Sequence, residues 1–254
     1  MQIPEYKIIY PKIHVYKNAI PNVDSLLNFI KTFEGDDDST FTPWRKWSDF
    51  GVYRHVRFEE DRKENDLGNS FIKNIDDVFL LLTKHYMEFN KIEKDENWIY
   101  QPPHFCKYFD YNNFPIPHED GQLAMVYHSD WQYEKRNRPG LKFEITCNFY
   151  LNDDYAGGGL SFSINDDFID YKPETGDVII FPSKPPYFHG VMKNNNAEKY
   201  FIRSFWRSHY EGSKEWLENQ KRYGEEDWEK ICLVQEKEDG PKGFKHGSYR
   251  GISD

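Results

Sequence analysis

The chain has 254 residues, a mass of 30.5 kDa and a formal net charge of −10 at pH 7. This length suffices for a full hydrophobic core, and barrel-like β domains reach it undivided. The negative charge argues against sequence-independent binding to the nucleic-acid backbone, and no run of about 18 apolar residues is present that would span a membrane. We therefore expect neither nucleic acid nor membrane as a partner.

The N-terminus and the cysteines indicate the compartment. The opening residues, MQIPEYKIIYPKIHVY, lack a basic start followed by an apolar block, which argues against a signal peptide. Cys106, Cys147 and Cys232 are scattered and form no zinc-binding pattern. Reduced thiols are the simplest interpretation, so the sequence predicts a cytoplasmic location.

The first 98 residues combine strand-like and helical patterns. A short β-like segment, Lys7–Tyr16, precedes a predicted helix over Val23–Phe33. Residues Gly51–Phe58 alternate like a strand, and a second helix is predicted over Phe71–Lys91. Apolar residues at helical spacing on this second helix are Ile72, Ile75, Phe79, Leu82, Tyr86 and Phe89. We expect residues 1–98 to form a support for the C-terminal part of the chain.

Short strands dominate from about Ile99 onward. They are separated by Gly, Pro, Asn and Asp turns, a pattern typical of a β-sandwich or jelly roll. After Ser208 the composition becomes strongly charged and favours a helical tail with a loose terminus. The sequence thus predicts a single catalytic domain over residues 1–254, with a support (1–98), a jelly-roll core (99–208) and a C-terminal tail (209–254).

Two His-x-Asp patterns occur close together, His118-x-Asp120 and His128-x-Asp130. Either one alone is a weak signal, because the pattern arises by chance in a chain of this composition. His128 ends the apolar run LAMVY, which suits a buried strand, and Asp130 opens a polar loop. His118 instead follows Phe114–Pro117, whose two prolines cannot donate to a sheet ladder. We therefore favour the second pair and keep the first as the alternative.

A third candidate ligand, His189, follows the predicted strand Val178–Phe181. Two imidazoles and one carboxylate can occupy one face of an iron(II) ion and leave positions for a co-substrate and dioxygen. The sequence therefore predicts an iron site made of His128, Asp130 and His189. The alternative interpretation of His189 is a histidine at a strand edge with no ligand role.

A cation stands ten residues after His189, where Lys199 begins the predicted strand KYFIRSFW. Period-2 alternation places Lys199, Phe201, Arg203 and Phe205 on one face. A cation on the inner face of a β core is costly unless it meets an anion, such as the carboxylate of a co-substrate. The alternative is a lysine at the barrel edge that reaches solvent.

Together these motifs resemble the iron(II)- and 2-oxoglutarate-dependent dioxygenases, in particular their prolyl 4-hydroxylase-like branch. The resemblance covers about Phe105–Arg207 and includes FCKYF, MVYHSD, ITCNFYLNDDYAGGGLSF, TGDVIIF and the basic residue Lys199. It implies an α+β fold with a mainly β core, a double-stranded β-helix with helices packed outside. The implied cofactors are iron(II), 2-oxoglutarate and dioxygen, with ascorbate as an optional addition.

The resemblance also implies roles for individual residues. Tyr108, Thr146 and Tyr150 would line the co-substrate pocket, and Asn148 shares the inward parity of Thr146 and Tyr150 in their strand. Lys199 stands where the family places the basic residue for the 2-oxoglutarate carboxylate. Arg203 is a second cation on that face, so either of the two can hold the carboxylate.

The implied activity is hydroxylation of an unactivated C–H bond, coupled to oxidative decarboxylation of 2-oxoglutarate. The first candidate substrate is an amino-acid side chain, free or within a peptide, for example prolyl. Two alternatives remain open: the same cofactors acting on another small molecule, such as a nucleoside or lipid precursor, and a non-catalytic metal-binding β domain. Fold alone does not distinguish among substrates.

Overall fold

The computed structural model describes residues 1–31, 44–46, 52–55, 66–108, 125–126, 142–165, 167–192, 194–209 and 249–250, together with residues 218 and 221. The helices are α1 (Val23–Lys31) and α2 (Asp66–Phe89). The strands, in chain order, are β1 (Tyr6–Tyr10), β2 (Ile13–Tyr16), β3 (Trp44–Lys46), β4 (Val52–His55), β5 (Ile99–Tyr108), β6 (Met125–Val126), β7 (Lys142–Tyr150), β8 (Ala156–Gly157), β9 (Leu160–Ile164), β10 (Asp167–Tyr171), β11 (Val178–Pro182), β12 (Phe188–Val191), β13 (Asn194–Asn195), β14 (Lys199–His209) and β15 (Tyr249–Arg250).

Two antiparallel sheets enclose the inner core. The large sheet has the strand order β1-β2-β11-β7-β14-β5-β4-β3, and the small sheet has the order β10-β9-β12. Apolar side chains from both sheets meet between them, among them Tyr150, Phe162 and Phe201. We call this region the inter-sheet space. Two facing antiparallel sheets over a shared core confirm the predicted jelly-roll type of β core.

Both helices pack on the opposite face of the large sheet. Leu26 of α1 and Phe79 of α2 join one buried cluster with large-sheet residues such as Ile145 and Ile202. The alternation of side chains across each strand separates this helix-side core from the inter-sheet space. The predicted α+β organisation, with helices supporting a mainly β core, is therefore confirmed.

The helix α2 differs from its prediction at both ends. It begins at Asp66, five residues before the predicted start, and it ends at Phe89. It stops there because Lys91 adopts a positive φ of 54° while the Ile92 amide bonds to the Met87 carbonyl, a geometry that closes helix C-termini. Phe89, which follows the helical spacing of the apolar residues on α2, lies in the last turn of the helix and is 50% exposed.

The predicted helical tail lies almost entirely outside the described residues and stays a prediction. Within its range the structure describes a short strand, β15, which pairs with β6 through Tyr249 opposite Val126 and Arg250 opposite Met125. A two-residue strand is too short to show a periodic pattern, so the sequence could not predict this long-range pairing. Among the described residues, no helix is long and apolar enough to cross a membrane.

His14 of β2 is a fully buried imidazole on the helix side of the large sheet. Its ring lies 4.9 Å from the ring of Tyr86 and 5.1 Å from that of Phe89. The Asn90 amide donates a hydrogen bond to Nε2 over 3.1 Å. Burial, with a further contribution from nearby His85, lowers the pKa of His14 from 6.5 to about 4. His14 therefore stays neutral in the folded protein near neutral pH.

We expect this buried imidazole to make the fold acid-sensitive. The unfolded chain binds a proton at His14 near its ordinary pKa of 6.5, whereas the folded chain does so only near 4. The free energy of unfolding should therefore fall as pH decreases from about 6.5 to about 4, by at most about 3 kcal/mol. Urea unfolding of wild type and His14→Phe across this range should show a flatter pH profile in the variant.

A matched control is His85→Gln, since His85 lies beside His14 but is only partly buried and bonds to the Tyr16 hydroxyl over 2.9 Å. It should keep most of the acid-dependent loss that we assign to His14, because burial is the largest cause of the lowered pKa. Equal pH profiles for His14→Phe and wild type would contradict the assignment.

Candidate co-substrate and metal site

The strand β14 carries the two cations predicted to face the inner core. Phe201 joins the cluster between the sheets, whereas Tyr200, Ile202 and Trp206 pack with the helices. The alternation along the strand thus follows the prediction. Lys199 and Arg203 share the side of Phe201, and both are buried, with 1% and 4% of their surface exposed.

Lys199 is enclosed by aromatic rings. Its ammonium lies 5.7 Å from the ring centroid of Tyr108, 5.1 Å from that of Tyr150 and 5.6 Å from that of Tyr155. The same ammonium donates a hydrogen bond to the carbonyl of Gly158. Gly158 has a φ of 65°, a conformation that glycine adopts without steric cost. We call this set of rings the tyrosine cage.

The cage supplies dipoles and π faces but no formal negative charge. Burial, and secondly the positive charge of Arg203, lower the pKa of Lys199 to about 7. Among the described residues, no carboxylate forms an ion pair with this ammonium. A buried ammonium of this kind suits an incoming carboxylate, because the ion pair would restore the charged state.

Arg203 lies farther along β14 than Lys199. It lies four residues along β14 from Lys199, about 13 Å at roughly 3.3 Å per residue. Its guanidinium is 5.7 Å from the ring centroid of Phe201 and 5.8 Å from that of Phe205. In the strand register it stands opposite Asn148 of β7.

The inward residues of β7 line the same space. Thr146, Asn148 and Tyr150 are all buried, in agreement with their predicted parity. The Thr146 and Ser183 hydroxyls are 2.7 Å apart and hydrogen-bonded. Burial raises the pKa of Tyr150 well above its ordinary value, while a hydrogen bond from Asn148 acts in the opposite direction. Tyr150 is therefore a neutral hydroxyl at physiological pH.

His189 reaches into the inter-sheet space from the small sheet. It is 1% exposed, and in the pairing of β12 with β9 it stands opposite Phe162. Its ring centroid is 4.7 Å from that of Phe181, which belongs to the large sheet. Phe181 in turn stands opposite Thr146 in the register. The imidazole therefore sits over the Phe181–Thr146 row, while the tyrosine cage lies farther along β14.

The other predicted metal ligands, His128 and Asp130, lie outside the described residues, as do the alternative pair His118 and Asp120. The strand β6, which ends two residues before His128, is described and runs close to β12, with Cα atoms within 8 Å. Among the described residues, no group of three or more His, Cys, Asp or Glu side chains is arranged to hold a metal. The three-residue ligand set therefore remains a prediction, of which His189 alone is described.

Two residues of the site were not predicted. Tyr155 forms one wall of the tyrosine cage, and Ser183 is the hydrogen-bond partner of Thr146. Both lie in loops, where no periodic pattern reports the direction of a side chain. The only available signal for Tyr155 is its place within the YLNDDYAGGG segment that carries the family resemblance.

Comparison with known proteins agrees with this geometry. Residues 109–207 match the model of the 2OG-Fe(II) oxygenase superfamily. A search of curated proteins finds no match to the chain.

Solved structures with the same fold include two prolyl hydroxylases. One is a prolyl hydroxylase from Trichoplax adhaerens, in complex with a peptide fragment of the hypoxia-inducible factor oxygen degradation domain. It has a TM-score of 0.53 and 14% identity, covering 77% of this chain and 83% of the other. The second is a Pseudomonas putida prolyl-4-hydroxylase, with a TM-score of 0.50 and 13% identity, covering 79% of this chain and 94% of the other.

At these sequence identities the structural neighbours show the fold alone. The family match over residues 109–207 indicates the class of chemistry. Iron(II), 2-oxoglutarate and dioxygen are the cofactors that this family requires. The buried ammonium of Lys199 and the buried imidazole of His189 fit a carboxylate and a metal ion respectively. Residues 109–207 are therefore similar to the 2OG-Fe(II) oxygenase superfamily, and the chain shares its fold with the two prolyl hydroxylases.

Proposed function

We propose that this protein is an iron(II)- and 2-oxoglutarate-dependent oxygenase that hydroxylates an unactivated C–H bond of an amino-acid side chain, free or within a peptide, with prolyl as the first candidate. The observation that carries the proposal is the tyrosine cage around the buried Lys199, together with the buried imidazole of His189. A buried cation suits the carboxylate of a co-substrate, and a buried imidazole suits a metal ion. The peptide bound to the Trichoplax adhaerens neighbour supports a peptide substrate.

We propose that His128, Asp130 and His189 hold the iron. The proximity of β6 and β12 supports this set, because β6 ends two residues before His128 in the sequence and β12 carries His189. The two-residue spacing between His128 and Asp130 lets both side chains project to the same side of an extended segment. When bound, the iron would supply the oxidation chemistry, in which substrate, 2-oxoglutarate and dioxygen yield hydroxylated product, succinate and carbon dioxide.

The residues of the chain itself bind and orient the co-substrate. Lys199 would form an ion pair with its distal carboxylate, and the tyrosine cage would exclude water and strengthen that pair. Tyr108, Tyr150, Thr146 and Asn148 would line the rest of the pocket. We assign the distal carboxylate to Lys199 rather than Arg203, because the rings around Lys199 carry tyrosine hydroxyls whereas those flanking Arg203 are phenylalanines.

We also propose that the chain forms one catalytic domain over residues 1–254. Support comes from the helix-side core, in which Leu26 and Phe79 of the N-terminal part pack with Ile145 and Trp206 of the β core. The cytoplasmic location stays a prediction. Cys106 and Cys147 are both buried as thiols, which is compatible with it.

The ligand set is tested by two aspartates ten residues apart. Asp130→Ala should abolish both iron binding and succinate formation, because it removes the only carboxylate of the proposed set. Asp120→Ala is the matched control and should keep most of both. Metal content and succinate release should be measured on the two variants side by side. The reverse pattern would move the metal site to the His118 pair.

The carboxylate assignment predicts a change in 2-oxoglutarate affinity. Lys199→Ala should weaken binding to the iron-loaded enzyme under anaerobic conditions by at least about tenfold, because a charge-assisted bond is lost. In wild type the affinity should also fall as pH rises above about 7, since Lys199 loses its proton near that pH. Lys199→Arg should remove this pH dependence, because a guanidinium stays charged. Titration calorimetry between about pH 6.5 and pH 9 measures both effects.

Lys107→Ala provides the control for these lysine variants. Lys107 is also a buried cation of β5, but it lies 3.5 Å from Glu198 and stands opposite Tyr200 in the register. Its loss should leave 2-oxoglutarate affinity unchanged. If Lys199→Ala binds normally while Arg203→Ala does not, Arg203 holds the carboxylate.

The substrate class is tested with a panel of free amino acids, prolyl peptides, nucleosides and lipid precursors. We expect succinate formation above the uncoupled background with at least one amino acid or peptide, and a gain of about 16 Da in that compound by mass spectrometry. Turnover with a nucleoside or lipid precursor alone would replace the proposed substrate class. Absence of oxygen consumption with iron and 2-oxoglutarate under every condition would favour the non-catalytic alternative.

A further inference from the structure

Tyr155 is a buried residue of the tyrosine cage to which the family resemblance assigns no role. It lies in the loop between β7 and β8 and is 1% exposed. Its hydroxyl has no hydrogen-bond partner among the described residues. Burial raises the pKa of this phenol, so the hydroxyl keeps its proton and can act as a donor.

Other buried tyrosines of the chain differ in this respect. Tyr86 donates to the Lys12 carbonyl over 2.9 Å, and Tyr16 bonds to His85 over the same distance. Tyr171, which is only partly buried, donates to Asp177 over 2.8 Å. A buried hydroxyl left without a partner costs about 1–3 kcal/mol. The Tyr155 hydroxyl has no partner among the described residues that would offset this cost, so it is available to donate to a ligand.

The position of the Tyr155 ring indicates a site that its hydroxyl can serve. Its ring centroid is 5.6 Å from the Lys199 ammonium, and Tyr150 on the same cage lies close enough for the two phenols to influence each other's ionisation. The loop is held from outside, because Lys172 donates to the Tyr155 carbonyl over 2.8 Å and covers its ring at 5.3 Å. The phenol is thus fixed beside the cation that receives the distal carboxylate.

We propose that Tyr155 is a positioning residue for the co-substrate, donating its hydroxyl to the distal carboxylate that Lys199 binds. The inference rests on the proposed role of Lys199. A carboxylate has two oxygens, so an ammonium and a phenol together satisfy it better than either alone. The loop before the glycine run thereby becomes part of the dicarboxylate site.

Tyr155→Phe tests this with the iron-loaded enzyme under anaerobic conditions. The dissociation constant of 2-oxoglutarate should rise about tenfold, the range for a hydrogen bond to a charged group. The melting temperature without 2-oxoglutarate should stay unchanged or rise, because the variant removes a hydroxyl that has no partner among the described residues. At saturating 2-oxoglutarate, kcat should match wild type.

Tyr86→Phe is the matched control, since its hydroxyl bonds to a carbonyl on the helix side of the large sheet. It should lower the melting temperature and leave 2-oxoglutarate affinity unchanged, the opposite of Tyr155→Phe. A second ligand, 2-oxopentanoate, keeps the five-carbon chain but lacks the distal carboxylate. Its binding should not distinguish Tyr155→Phe from wild type.

The outcomes separate this inference from the proposed function. If Lys199→Ala loses affinity while Tyr155→Phe binds 2-oxoglutarate within twofold of wild type, the role of Tyr155 is wrong and the function stands. A Tyr155→Phe protein that melts at lower temperature and loses affinity for both ligands equally indicates a structural residue and overturns the inference. Failure of the wild-type enzyme to bind 2-oxoglutarate overturns both.

Discussion

Burying an ammonium between two β-sheets is unfavourable, because the charge leaves water for a medium that solvates it poorly. Lys199 is 1% exposed, and its surroundings include three tyrosine rings and the carbonyl of Gly158. These groups stabilise the charge only in part, as the lowered pKa of about 7 indicates. A carboxylate placed in the cage would complete the stabilisation. The same burial that destabilises the cation would therefore favour the binding of an anion beside it.

The position of this cation depends on the packing of the whole large sheet. Along β14, Tyr200, Ile202 and Trp206 are buried against the helices, whereas Phe201 faces the inter-sheet space, and Lys199 and Arg203 share its side of the strand. A shift of one residue in the pairing of β14 would exchange the two faces. Packing of the helix-side core thus fixes the register of β14, and this register keeps Lys199 on the side of the inter-sheet space.

His189 and Lys199 come from different sheets, and the inner core determines their relation. His189 packs on Phe181, and Phe181 pairs with Thr146, which stands opposite Phe205 on β14. This chain of contacts places the imidazole over the Phe205 end of β14, whereas the ammonium lies at the start of that strand.

Much of this arrangement could be predicted from the sequence, because burial leaves a periodic trace. Apolar spacing predicted both helices, and the alternation in KYFIRSFW placed Lys199 and Arg203 on the inner face. The sequence motifs that resemble the 2-oxoglutarate-dependent dioxygenases predicted the cofactors and the jelly-roll type of core. These features depend on local composition and on which face of a helix or strand is buried. The order of apolar and polar residues in the sequence reveals both.

Tertiary structure alone decided the rest, for identifiable reasons. Tyr155 lies in a loop, where side-chain direction follows from backbone turns and long-range packing rather than from a repeating pattern. The pairing of β15 with β6 joins segments more than 100 residues apart, and two-residue strands carry no signal of their partner. The helix α2 starts earlier than predicted, at Asp66, and Phe89 in its last turn is half exposed. Both features depend on where each end of the helix lies relative to the sheet. The sequence by itself determined which faces are buried, and the folded chain decided which buried groups meet, because contacts between distant segments depend on the packing of all elements together.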